Sequence, residues 1–144
     1  MDQIDEKILE LLGANGRMTS SEIGKHVHLS VPAVSERIRK LEEAKIIDKF
    51  TVRINREQIG LHLLAFIMVQ LEKPEHVAGF RQMIAQTPSV RECHHIAGSY
   101  DYLLKVALKN TSELELLISE RIKQVEGVAK TNTMIVLSTM KEEM

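Results

Sequence analysis

Thr19 and Ser30 both read as helix starts, and they stand so close together that only a short helix and a tight turn fit between them. A helix that short is marginal unless it packs against something. The stretch from Met18 to Phe50 therefore dictates its own surroundings. Thr19 and Glu22 form the T-S-S-E capping box, in which each side chain satisfies the other residue's backbone donor. Ile23 and Val27 fall on one face, and Gly24 lets a second helix approach closely. His28-Leu29-Ser30 breaks the helix, Ser30 caps the next one, and Pro32 sits in its first turn, where a missing N–H costs little. That helix is expected from Val31 to about Ala44, with Val34, Ile38 and Leu41 as its apolar stripe. Ser35, Glu36, Arg39 and Lys40 then face outward, with Arg37 on the flank. Two helices and a tight turn, the second with a polar front, is the helix-turn-helix pattern, whose second helix fills a DNA major groove. An ordinary helical hairpin with a solvated face has the same spacing.

A helix capped by Asp2 and running to Gly13 precedes this pair, with Ile4, Ile8, Leu11 and Leu12 as its stripe and Asn15-Gly16 closing it. Asp5 and Glu6 suit its positive end. After the pair, Asp48 to Ile54 alternates, with Phe50, Val52 and Ile54 on one side. This predicts the strand of a wing, whose Lys49, Thr51 and Arg53 reach phosphates. Asn55 to Gly60 is polar and turn-like and is taken as the hinge, so that residues 1–60 form one domain and 61–144 the other.

Charge bears on the DNA reading. Net charge is −1, and residues 1–60 carry as many Asp and Glu as Lys and Arg. Affinity for DNA would then come from placement of Arg17, Lys25, Arg37, Arg39, Lys40, Lys49 and Arg53, helped by dimerisation. No apolar run approaches a membrane span. The opening Met-Asp-Gln-Ile-Asp predicts no signal peptide, and a single cysteine, Cys93, fits a reducing cytoplasm.

From Leu61 the pattern changes. Leu63 to Leu71 reads as a buried strand ended by Pro74, and Glu75 to Gln86 as a helix carrying Val77, Phe80 and Ile84. Val90 to Ala97 and Tyr102 to Leu108 make a hairpin around Gly98-Ser99-Tyr100-Asp101. Thr111 or Ser112 caps a helix ended by Gly127, and Val128 to Thr139 is the last strand. Strand-helix-strand-strand-helix-strand is the ferredoxin-like βαββαβ order. The fold class is thus α+β: an N-terminal winged helix-turn-helix followed by a ferredoxin-like domain. Leu63 to Leu71 is apolar on both sides, so both sheet faces want cover, which a sheet-to-sheet homodimer would provide.

Together these residues resemble the Lrp/AsnC family, the leucine-responsive or feast/famine regulators. The resemblance rests on Asp2, Asp5 and Ile8-Leu9, then Ser30, Val34, Arg37-Ile38, Leu41-Glu42, Ile47 and Gly60-Leu61. It continues through Gly98-Ser99-Tyr100-Asp101-Tyr102-Leu103-Leu104 and Gly127-Val128 to Thr131 and Thr133, and so covers nearly the whole chain. It implies a transcriptional regulator whose first domain binds double-stranded DNA. The second domain would dimerise, sense a free amino acid and assemble further, frequently to an octamer. Effector residues would be Gly98, Ser99, Tyr100, Asp101, Thr131 and Thr133, between subunits. Two departures stand out. Lys45 occupies a position where members usually carry glycine, which takes a left-handed backbone freely. Ser99 replaces a common acid or His and Ala129 a polar contact, which leaves the effector's identity open.

Each site has a plainer explanation beside it. Ser30, Ser35, Glu36, Arg37, Arg39, Lys40, Lys49 and Arg53 are the DNA-contact candidates, and a solvated helix face is the alternative. Arg39 suits a guanine edge, Glu36 accepts from cytosine or tunes specificity, and Ser30 caps first. Gly98 to Asp101 is either a plain hairpin loop or a ligand loop in which N–H groups hold a carboxylate and Asp101 an ammonium. His94-His95 looks metal-like, yet neighbours on a strand point to opposite faces, so no metal is expected. No cofactor is called for, and the methionines read as packing filler. An enzyme akin to the haem-pathway decarboxylases that resemble this family is the different-class alternative. It lacks a visible nucleophile–base pair, so the chain is not expected to be an enzyme. An architectural, DNA-compacting protein is the third reading.

Overall fold

Capping chemistry fixes every helix of the N-terminal unit in the computed structural model, which describes residues 1–142. Helix α1 spans Gln3–Ala14. The Asp2 carboxylate accepts from the Asp5 N–H at 2.9 Å, and the Asp5 carboxylate accepts from the Asp2 N–H at 3.0 Å. Helix α2 spans Ser20–Val27 behind the Thr19–Glu22 box, where the two reciprocal bonds measure 3.2 and 2.7 Å. Helix α3 spans Val31–Glu43, with the Ser30 hydroxyl accepting from the Ala33 N–H. Ile8, Ile23 and Val34 are fully buried and Leu41 is 4% exposed, so one core stripe from each helix meets in the middle.

Gly24 shows why the turn can be tight. A Cβ there would lie 2.5 Å from the Leu29 carbonyl oxygen and 3.7 Å from Val34 Cγ2. The close neighbour is the turn's own backbone as well as the second helix. His28 enters the left-handed region (φ 56°) to make the bend. Lys45 does the same after α3 (φ 57°), which is the conformation expected of the glycine it replaces. The amides of Ile46 and Ile47 then both return to the Leu41 carbonyl.

The wing strand does not form. Residues 48–54 pair with no strand, and Phe50, Val52 and Ile54 are 51, 76 and 62% exposed. Alternation prepares a segment to pair, but a strand needs a neighbour's hydrogen bonds, and none is offered here among the described residues. The first unit is Met1–Ile54, and the second runs from Asn55 to Glu142. Asn55 opens the latter, its side-chain oxygen accepting from the Glu57 and Gln58 amides.

The second unit is a four-stranded antiparallel sheet, order β2-β3-β1-β4, with β1 Leu63–Leu71, β2 Val90–His95, β3 Tyr102–Leu108 and β4 Val128–Ile135. Helix α4 is Val77–Ala85, entered through a 3-10 turn at Pro74–His76 rather than continuously from Glu75. Helix α5 is Thr111–Leu116 and continues as a π-helical segment, Leu117–Ile122. Its cap is Asn110, whose side chain accepts from the Glu113 N–H at 3.0 Å, and not Thr111 or Ser112. Three polar cap residues stand in a row there, and Asn is among the strongest caps. Ala65, Ile67, Val69, Leu104 and Val106 are fully buried against Phe80, Leu114, Leu117 and Ile122. The opposite sheet face carries half-buried Phe66, Met68 and Leu103 and exposed Met134.

Candidate nucleic-acid interface

Burial orients α3. With Val34 and Leu41 inward, Ser35, Glu36, Arg39, Lys40 and Glu43 form one exposed ridge. The Ser35 hydroxyl donates to Ser20 Oγ at 3.0 Å, joining the ridge to the start of α2. Arg39 lies between two acids. Its Nε donates to Glu36 Oε2 at 2.9 Å and its Nη2 to Glu36 Oε1 at 2.7 Å, while Nη1 meets Glu43. Lys40 Nζ lies 3.8 Å from the same Glu36 carboxylate. Hydrogen bonds from Arg39, and then its charge, hold the Glu36 carboxyl below the usual range, and Glu36 in return pushes the Arg39 guanidinium up.

Arg37 turns elsewhere. Its Nη1 donates to Asp5 at 2.7 Å and to both oxygens of Asp2 at 2.9 and 3.0 Å. Its guanidinium ties α3 to the cap of α1, a structural role that points away from the ridge. Spacing alone put Arg37 on the flank of α3 without showing what stood beside it. Lys49 is exposed on the 48–54 segment, and Arg53, exposed too, has a further interaction of its own. Ser30 is committed to its cap.

The β2–β3 loop has its own geometry. Asp101 anchors it: the carboxylate accepts from the Leu71 N–H at 2.8 Å, and the Asp101 N–H donates to the Val69 carbonyl at 3.0 Å. One carboxylate oxygen is thereby used in holding the loop to the end of β1. Gly98 and Ser99 are exposed and Tyr100 is half-buried, with Lys130 Nζ 5.5 Å from its ring centre. Thr131 and Thr133, on β4, pair with Val69 and Ile67 and share their helix-covered face, while Lys130 points to the other. Beside the loop lies a hollow of about 370 Å³ lined by Leu71, Lys73, Val77, His95, Asp101 and Tyr102. Thr131 and Thr133 are not among the residues lining it. The rings of His95 and Tyr102 stack with centres 5.0 Å apart, and the Phe80 ring lies tilted with its centre 4.8 Å from that of Tyr102. His94 lies on the opposite face with Glu92 Oε2 3.1 Å away, as strand alternation requires. Neither the hollow nor Lys130 was visible in the sequence, because both depend on sheet register.

Both halves match known family profiles: an AsnC-type helix-turn-helix domain over residues 1–42 and an Lrp/AsnC ligand binding domain over residues 64–144. The chain belongs to the Lrp/AsnC family of transcriptional regulators. Among its relatives, the HTH-type transcriptional regulator FL11 of Pyrococcus horikoshii is 37% identical over 99% of this chain and 93% of its own length. The leucine-responsive regulatory protein of Klebsiella pneumoniae is 31% identical over 99% of this chain and 88% of its own. Among solved Lrp/AsnC-like structures, a transcriptional regulator of Neisseria meningitidis in complex with L-Met superposes with a TM-score of 0.95. It is 28% identical and covers 99% of this chain and 94% of that one. LrpC of Bacillus subtilis superposes at 0.87, also 28% identical, with 99% of each chain covered. In this Lrp/AsnC chain no helix is long and apolar enough to cross a membrane, among the described residues.

Proposed function

We propose that this Lrp/AsnC protein reads double-stranded DNA with the α3 ridge and answers to a free amino acid held at the β2–β3 loop. The observation that carries the first half is the exposed row Ser35, Glu36, Arg39 and Lys40, on a doubly capped helix pair whose core stripe leaves no other orientation. Lys49 and Arg53 supply phosphate contacts from the segment after α3. Selection of bound duplexes from a random-sequence pool tests this. One consensus should emerge, and Arg39→Ala should weaken its binding in a gel-shift titration at fixed salt. Recovery of random sequences would instead indicate an architectural role.

The effector half is supported by the loop's position and by the relative whose structure was solved with L-Met. Exposed loop residues Gly98 and Ser99 offer backbone N–H groups to a carboxylate, and the Asp101 oxygen not used by Leu71 suits an ammonium. Thr131 and Thr133 would have to come from another subunit to join them. A second copy fits the uncovered sheet face, where Phe66, Met68, Leu103 and Met134 gather, and the apolar side of residues 48–54 adds to the same need. Homodimers of this kind would assemble further, to an octamer, in the cytoplasm, and the protein acts as a regulator and not as an enzyme. Residues 61–144 serve as the dimerisation and sensing domain, with the hinge in 55–60. Thermal-shift screening of free amino acids should find at least one stabiliser; stabilisation by none would count against the effector.

A further inference from the structure

The α3 ridge is not basic. Arg39 and Lys40 share it with Glu36, Glu42 and Glu43, all exposed. Successive helix residues turn by about 100°, so Glu36 and Glu43, two turns apart, stand over one another opposite buried Val34. The acids thus occupy the middle of the ridge, and the cations flank them. Glu36 holds Arg39 through two hydrogen bonds and draws Lys40 to 3.8 Å. Exposed pairs of this kind add little to helix stability, so their consequence lies in what the ridge can meet.

We propose that Glu36 is an electrostatic gate: it holds Arg39 and Lys40 off the phosphates of arbitrary DNA and frees them where the base facing it is a cytosine or adenine, whose amino group it can accept from. This rests on α3 entering the major groove. Glu36 lies in the N-terminal half of α3, the part of a recognition helix that reaches base edges. In that groove each base pair carries one amino donor, cytosine N4 or adenine N6, whose place across the groove changes with the pair and its orientation, and the acceptor edges of guanine and thymine repel a carboxylate. At a matching base pair the carboxylate exchanges the guanidinium for the amino group, and Arg39 and Lys40 turn to phosphate or to a neighbouring guanine. Where the acceptor edge of guanine or thymine faces it instead, the carboxylate keeps its cations, and both partners lose by approaching DNA. A nearly neutral protein thereby rejects random sequence without giving up its basic residues.

The test compares full-length wild type with Glu36→Gln and Glu42→Gln on two duplexes, the selected consensus and a random-sequence duplex, across a salt series. Glu42 carries the same charge on the same helix, whereas Arg39 bonds Glu36 and Glu43, so it controls for net charge alone. The gate predicts that Glu36→Gln raises random-duplex affinity about tenfold near 0.1 M salt and steepens its salt slope by up to about 1.8, two released counterions. The ratio between consensus and random duplex falls accordingly, while Glu42→Gln gives a clearly smaller gain. Unchanged random-duplex affinity in Glu36→Gln, or an equal gain in Glu42→Gln, overturns the gate even if wild type reads its consensus. Wild type that binds neither duplex removes the DNA reading itself, and the gate with it.

Discussion

Lys45 holds a left-handed backbone with a side chain that opposes it. A Cβ at φ 57° crowds the neighbouring carbonyl, which glycine avoids. Lys45→Gly should therefore stabilise the N-terminal unit by about 0.5–1 kcal/mol, net of glycine's extra entropy when unfolded, seen as a raised melting temperature. Gly24→Ala should do the reverse. Its Cβ would meet the Leu29 carbonyl at 2.5 Å, a backbone atom that cannot swing aside. A loss of about 1–3 kcal/mol is expected in chemical denaturation. Acid acts on the caps. Backbone N–H groups of Asp5 and Thr19 hold the Asp2 and Glu22 carboxyls below their ordinary 3.8 and 4.5. Their stabilisation is present above those values and is lost as pH falls through the lower folded-state values. The melting-temperature gap between wild type and an Asp2→Asn, Glu22→Gln double variant should be widest near neutrality and close below pH 3.8. A gap that persists at pH 2 would place the stabilisation elsewhere. The caps Asp2, Thr19 and Ser30 were legible because their chemistry is local. The Arg37 bridge to Asp2 and Asp5 was not, since it joins residues 35 and 32 positions apart.

At the scale of elements, helices and paired strands were read well because each carries its own period. Strands β1 and β3 fall at the expected residues, Leu63–Leu71 and Tyr102–Leu108. Elements whose limits depend on a partner were read less well. The last strand ends at Ile135 and not Thr139, and residues 48–54 join no sheet among the described residues, because alternation says nothing of where a neighbour lies. The same limit governs the candidate sites. The α3 ridge followed from helical projection, but the Glu36–Arg39–Glu43 chain needed coordinates, because several rotamers satisfy the spacing. The β2–β3 loop was placed correctly, while the anchoring of Asp101 to Leu71 depends on how β1 ends beside it. Asp101→Ala should leave the Leu71 N–H without its partner and destabilise the second unit by about 1–3 kcal/mol, whether or not an effector is present. Denaturation without added amino acid measures this, and an unchanged midpoint would show that the bond is dispensable.

The whole molecule combines a nearly neutral DNA-reading unit with a sheet whose helix-free face leaves Phe66, Met68 and Leu103 half-exposed. Those two facts belong together, since a weakly charged reader gains affinity by presenting two copies to one duplex. Met68 lies in β1, with strands on both sides, and is half-exposed on the face away from the helices. On the proposed sheet-to-sheet dimer, Met68→Glu should shift the protein to monomer in light scattering and weaken consensus binding by tenfold or more, with the helical signal retained. An unchanged mass would place the dimer contact on another surface. The most direct test of the account is guanine N7 methylation protection on the selected duplex, because N7 is exposed only in the major groove. Major-groove reading by α3 gives protected guanines at the consensus, with protection of one of them lost in Arg39→Ala while flanking contacts persist. A footprint with every guanine N7 still reactive, or a pattern unchanged by Arg39→Ala, would contradict it.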